Sequence, residues 1–392
     1  MAACSPETRD AFLSDLSTAN ETARVGISTK RAADKDHHWR VWEAFIATLN
    51  GVDPYLNCIA PHLHISFLKV FATQVRRGKL TPSRRPVQSK RVQDYLRTVA
   101  EEIRVGSKFR LDPRYNAHNI MERDLVNLAK GYAKSDPPPD KVSPIPITLV
   151  QHAIANLPNT AVALTIANLL LIGFFYVLRP GEYTYDRKNN HPFRLQDVTF
   201  DTPTGMVNAA TAPIPQLQTA TRVLLYFTTQ KNGERGQAIT HGDTPDPVLS
   251  PLKAVLRQVL HLRRNNATPD TPLHTAFDSG QPRPIRASDL TNVLRASCRA
   301  MGDTVGLTAN KISVRALRSG GCMALLRAGV DPLQAQMMGR WKSWAMLEYL
   351  HNEALDTSSF AARMVKGGTF ILPKHQTIPS DVLPLVQPYL EE

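Results

Sequence analysis

Cysteine is scarce: Cys4, Cys58, Cys298 and Cys322 are the only four in 392 residues, too scattered for metal-ligand pairs or a disulfide framework. A reducing, intracellular setting is the expectation. Carboxylates are also short, 34 against 47 Lys+Arg, and no cluster has metal-binding spacing. Two-metal cleavage of a phosphodiester is therefore unsupported. No Gly-x-x-x-x-Gly-Lys or Gly-x-Gly-x-x-Gly occurs to cradle a nucleotide phosphate. The pairs His37-His38 and His62/His64 form no complete metal-ligand set and read as surface histidines. The first fifteen residues contain acids and no apolar stretch, which does not read as a signal peptide. Long apolar runs are absent but for one, Ala161 to Leu178, 18 residues without a charge. Thr165, Asn168 and Gly173 interrupt it, and Arg179-Pro180-Gly181 ends it abruptly. Such a segment is expected to be a buried core helix rather than a bilayer span.

What is present is apolar material for a sizeable core, 42% of residues, and a net charge of +13. The length fits two domains. Residues 1–35 are polar and aperiodic, a mobile arm. Four helical periodicities follow within residues 36–134: from Trp39 to Leu49, from Ile65 to Arg77, from Val87 to Ser107 and from Met121 to Tyr132. A linker spans 135–147, because Ser135 to Thr148 holds five prolines in fourteen residues. The second domain, 148–366, opens with helices and turns β-rich near Val198–Phe200, Arg222–Thr229 and Gly236–Thr240. Asn232-Gly233 lies between the last two as a hairpin signal. Helices return at Pro251–Arg264, Ala287–Met301, Val314–Arg327, Pro332–Met338 and Trp344–Ala354, before a proline-bearing tail from 367. The fold class is mainly α with a small antiparallel sheet, the first domain all-helical.

The charge is concentrated. Between Lys69 and Arg114 stand thirteen basic residues against four acids, +9 of the +13. Such an excess suits a surface tracking phosphates, with Arg76, Arg77, Arg84, Arg85, Lys90 and Arg91 its candidate contacts. Residues 84–91 also have the composition of a nuclear address. Elsewhere, cations stand at element ends: Arg179 after the apolar helix, Lys231 at the hairpin tip, Arg315 and Arg318 one turn apart, Arg340 beside Trp341. Tyr349 lies on the last helix.

In order and spacing, four segments resemble the tyrosine recombinase (phage integrase-like) family, in particular the eukaryotic branch carried by Cryptons and related retroelements. They are Phe175-Tyr176-Val177-Leu178-Arg179-Pro180-Gly181-Glu182-Tyr183, Phe227-Thr228-Thr229-Gln230-Lys231-Asn232-Gly233, Val314-Arg315-Ala316-Leu317-Arg318-Ser319-Gly320-Gly321, and Met338-Gly339-Arg340-Trp341-Lys342-Ser343 through Tyr349. The resemblance extends over about residues 38–365 and implies a helical core-binding (SAM-like) domain, a recombinase catalytic domain, double-stranded DNA as partner, a tetramer on DNA, a nuclear site of action and no cofactor. It implies Tyr349 as nucleophile, Arg179 and Arg318 as phosphate clamps, and Lys231 as general acid, with Glu182 supporting Arg179 or its turn. Two positions depart from the family: Arg315 replaces the usual histidine of the second box, and Arg340 aligns with the later histidine or tryptophan, leaving Arg340 and Trp341 both open as phosphate contacts. A guanidinium cannot accept the tyrosine proton. The departures leave two alternatives, a strand-transferring enzyme and a DNA-binding protein with reduced chemistry on the same fold.

Overall fold

The computed structural model describes residues 5–26, 29–116, 118–137, 143–186, 191–228, 236–343 and 346. The chain divides between Pro139 and Asp140 into two compact units.

In the first unit, α1 (Pro6–Val25), α2 (Thr29–Ile46), α3 (His64–Arg76), α4 (Ser89–Gly106) and α5 (Arg123–Lys134) follow one another. α4 is the centre, packed by α2, α3 and α5. Its buried Val92, Tyr95, Leu96, Val99 and Ile103 recur at helical spacing and meet Trp42, Phe45, Phe71 and Val75. The aperiodic arm expected at the N-terminus contains α1 instead. Pro6 opens it, Ser5 Oγ accepts from the Thr8 amide at 3.3 Å, and Phe12, Leu13 and Leu16 stay exposed. Good helix formers without an apolar face give a helix that no burial pattern reveals.

Two of the supposed surface histidines are buried. His64 bonds the carbonyls of Leu56 (3.1 Å) and Ile59 (3.0 Å) through Nε2, which is therefore the protonated nitrogen. His38 lies 4.0 Å from the Tyr95 ring with Nδ1 3.1 Å from Thr98 Oγ1, and burial lowers its pKa to about 4. Both close the α2–α4 side and the turn before α3.

The second unit carries α6 (Ile147–Ala155), α7 (Ala161–Phe175), a short α8 (Pro180–Tyr183), β1 (Val198–Thr202), β2 (Gly205–Asn208), α9 (Ile214–Leu217), β3 (Arg222–Phe227), β4 (Gln237–Gly242), α10 (Pro251–Arg264), β5 (Thr275–Asp278), β6 (Gln281–Pro284), α11 (Ala287–Met301), α12 (Arg315–Arg327) and α13 (Pro332–Gly339). The strands form an antiparallel sheet in the order β2-β1-β3-β4 and a separate β5-β6 hairpin. The molecule is thus mainly helical with small antiparallel sheets, as the sequence pattern predicts.

The apolar run is the axis of this unit. α7 is enclosed by α6, α10, α11, α12 and β5, and no helix among the described residues is long and apolar enough to cross a membrane. Its one amide is satisfied: Asn168 donates to Gln258 Oε1 (3.3 Å) and accepts from Arg257 Nε (3.1 Å). Gln258 in turn donates to the carbonyls of Leu273 (2.8 Å) and Thr275 (3.0 Å), fixing β5 to α10.

The proline-rich stretch is attached at both described ends. Asp136 binds Arg76 and the Ser89 amide (2.8 Å) within the first unit. Ile145 is fully buried in the second, its amide donating to Ala316 O at 3.3 Å.

Candidate functional site

The site begins where α7 ends. Tyr176 terminates the helix, and Val177 takes the left-handed conformation, φ +50°. For a β-branched residue that is a strained backbone, and strain of this kind persists where surroundings enforce it. Here the turned Val177 carbonyl accepts from Arg318 Nη1 at 3.1 Å. His241 of β4 braces the same exit: Nε2–H donates to Phe175 O at 3.0 Å, and the ring meets Tyr176 edge-on at 4.6 Å. Burial lowers the His241 pKa, which keeps the imidazole neutral there.

Two residues on, Arg179 precedes α8. Glu182, at the third position of that short helix, accepts from the Arg179 amide (2.7 Å) and from Arg179 Nη1 (3.1 Å). Glu182 therefore supports both the turn and the guanidinium, as the sequence suggests. The Arg179 side chain remains 28% exposed.

Arg318 approaches from α12 and is buried, 3% exposed. Besides Val177 O it donates to Gly339 O, and its guanidinium carbon lies 4.3 Å from the Trp341 ring. α12 can lie this close because Gly320 and Gly321 present no side chain. A Cβ at Gly320 would stand 2.0 Å from Ile145 O, and one at Gly321 2.2 Å from Phe174 O.

α13 closes the cluster. It ends at Gly339, and Arg340 follows in the left-handed conformation, φ +56°. Arg340 Nη2 donates to Glu182 Oε2 at 2.8 Å, Nη1 to Met338 O at 3.0 Å, and the guanidinium lies 4.0 Å from the centre of the Phe227 ring. Gly339 faces the Trp341 ring so closely that a Cβ would fall 1.6 Å from it.

Arg179, Arg318, Arg340 and Trp341 are thus brought together by contacts spanning up to 158 residues of sequence. Arg315 is exposed at the first residue of α12, where the helix dipole gives a cation no support. Lys231 and Tyr349 lie outside the described residues. β3 and β4, which precede and follow Lys231 in sequence, are paired antiparallel from Arg222↔Gly242 to Phe227↔Gln237, and the expected turn between them lies outside the described residues. Val177, Phe227 and Gly339 are the participants that sequence pattern missed. Only Gly339, next to an aromatic-flanked cation, carried a signal that could have been followed.

Of the six basic residues assigned to a phosphate surface, Arg77, Arg84, Arg85 and Lys90 are exposed. They cluster because the loop after α3 folds back on itself: Val87 N donates to Arg76 O at 3.0 Å, and Gly78 sits under the Arg85 backbone. Arg76 is different. Its guanidinium donates to Val87 O (2.6 Å), Tyr132 O (3.3 Å), Ser135 Oγ (3.0 Å) and Asp136, tying α3 to α5 and to the start of α4. It is committed to the fold, not displayed to a ligand. Arg91 is half-buried, 3.8 Å from Asp34 and stacked over Tyr95.

No protein-family model matches the chain, and no curated protein does. Among solved structures, it is similar to the Tn1549 transposon integrase in complex with transposon right-end DNA, at 12% identity and a TM-score of 0.42, over 85% of this chain and 99% of that one. It is also similar to the XerA recombinase, at 11% identity and a TM-score of 0.36, over 86% and 100%.

Proposed function

We propose that the protein cleaves and rejoins double-stranded DNA through a covalent 3′-phosphotyrosine intermediate formed by Tyr349. The observation that carries this reading is the convergence of the first arginine box, the second box and the Gly339–Trp341 segment on one cluster, Arg318 holding Val177 O on one side and Gly339 on the other.

In this reading the Tyr349 oxygen attacks the phosphorus and the 5′-oxygen leaves, protonated by Lys231. One ester replaces another, so the exchange needs no ATP. The transition state gains negative charge on its non-bridging oxygens, which planar, bidentate guanidinium donors stabilise. Arg179, 28% exposed, is available for this directly, whereas Arg318, whose Nη1 and Nη2 hold Val177 O and Gly339 O, would exchange those carbonyls for phosphate oxygens. Arg315 cannot take the phenolic proton, so in this reading the phenolic proton passes to solvent and cations at the site would have to favour the phenolate. Assembly as a tetramer on DNA and, through the basic strip at 84–91, a nuclear location belong to this proposal. An SDS-stable protein–DNA adduct on a nicked suicide duplex tests it. Tight binding without an adduct would favour the second reading, a DNA-binding protein of reduced chemistry, to which the exposed Arg315 points.

The grip on DNA is assigned to the loop after α3. Charge reversal at Arg77, Arg84, Arg85 and Lys90 is expected to lower affinity and to flatten the plot of log K against log[salt] by about 3 to 4 units of slope, roughly 0.9 per phosphate contact. Arg76→Ala should instead lower the unfolding temperature. An unchanged salt slope in the four-residue variant rejects this surface.

A further inference from the structure

Glu182 faces two guanidinium groups at once. Its Oε1 accepts from Arg179 Nη1 at 3.1 Å, and its Oε2 from Arg340 Nη2 at 2.8 Å and from the Arg179 amide at 2.7 Å. The two arginines differ in what they leave available. The Arg340 side chain is 1% exposed, against 28% for Arg179. The Arg340 guanidinium carbon also lies over the ring of Phe227, the last residue of β3 and four residues before Lys231. A planar guanidinium can stack on a ring while donating in its own plane, which an ammonium cannot do.

We propose that Arg340 is a positioning residue and not a phosphate ligand: it neutralises Glu182, so that Arg179 keeps its charge for the DNA phosphate, and it ties that pair to the end of β3, four residues before Lys231. Contact with the phosphate at this end then falls to Trp341, half-buried against Arg318. The inference rests on the strand-transfer function proposed above. Its physical core is a competition. A carboxylate beside Arg179 draws the guanidinium toward itself and repels an incoming phosphate, and a second, buried cation on the same carboxylate cancels both effects. The left-handed backbone of Arg340 fits this role, because the side chain must turn back from the end of α13 toward α8.

The test is a set of four full-length proteins: wild type, Arg340→Met, Glu182→Gln and the double variant. Glu182→Gln keeps an oxygen for the Arg179 amide but loses the charge. Single-turnover cleavage of a nicked suicide duplex should fall about a hundredfold in Arg340→Met. Adding Glu182→Gln should then restore roughly tenfold of it, since the unbalanced carboxylate is gone. A residue that touched the phosphate directly gives no such recovery, and one that only held the fold recovers cleavage only in step with its melting temperature. A double variant no faster than Arg340→Met overturns the proposal. Thermal unfolding of the same four proteins decides the link without catalysis. The double variant should melt at or above Arg340→Met, and additive losses would refute the Arg340–Glu182 coupling. Absence of any adduct in the wild type would count against strand transfer itself, while the melting cycle still reports on the pair.

Discussion

Arg318→Lys is expected to slow DNA cleavage by about a hundred- to a thousandfold while changing DNA affinity by less than about threefold. The substitution keeps the charge and removes the geometry. Arg318 is buried at 3% exposure and uses separate nitrogens for Val177 O and for Gly339 O, with its guanidinium carbon 4.3 Å from the centre of the Trp341 ring. A lysine ammonium reaches one of these carbonyls and leaves the other without its donor, so the two segments it joins lose their fixed spacing. Affinity survives because the exposed Arg77, Arg84, Arg85 and Lys90 lie in the other unit. Single-turnover cleavage and fluorescence anisotropy on the same duplex measure the two quantities. Cleavage within about threefold of wild type would remove Arg318 from the clamp.

Gly320→Val and Gly321→Val are expected to destabilise the second unit by about 3 kcal/mol or more, the range of severe overpacking. The atoms that a Cβ would strike are backbone carbonyls, Ile145 O at 2.0 Å and Phe174 O at 2.2 Å, and neither can swing aside as a side chain would. Relief requires α12 to withdraw from the Ile145 backbone or from α7, and Arg318 would withdraw with it. Gly131 is the control. It lies inside α5 with open space where a Cβ would go, so Gly131→Ala should raise stability by up to about 1 kcal/mol. Thermal denaturation distinguishes the two cases. Ordinary melting of Gly321→Val would mean that the α7–α12 approach is looser than described.

Helices with an apolar stripe were legible to the residue: Pro251–Arg264 and Ala287–Met301 appear with the bounds that the sequence pattern predicts. The elements that escaped have no stripe to read. β2 and β6 are four-residue strands exposed along much or all of their length, and β6 contains two prolines. α1 buries none of its described side chains. In the site, residue type and order singled out Arg179, Arg318, Arg340 and Trp341, and their convergence is visible in the contacts. Burial was not legible. Composition counts Arg76 with Arg84, yet one guanidinium is enclosed by four acceptors and the other lies in solvent. His38 and His64 misled in the same way, since a histidine in a helix pattern carries no mark of whether a threonine or a carbonyl waits for it. The proposed choice between Arg340 and Trp341 likewise rests on a carboxylate 158 residues away, which no local spacing could supply.

The central claim is that Tyr349 exchanges a DNA phosphodiester for a protein one. Its most direct test incubates the full-length protein with nicked suicide duplexes in EDTA without ATP, followed by SDS electrophoresis and mass spectrometry of the trapped peptide. The account predicts a covalent adduct on the peptide containing Tyr349, attached to a DNA 3′-phosphate and absent from Tyr349→Phe. Retained DNA binding with no adduct, or an adduct that persists in Tyr349→Phe, would contradict it.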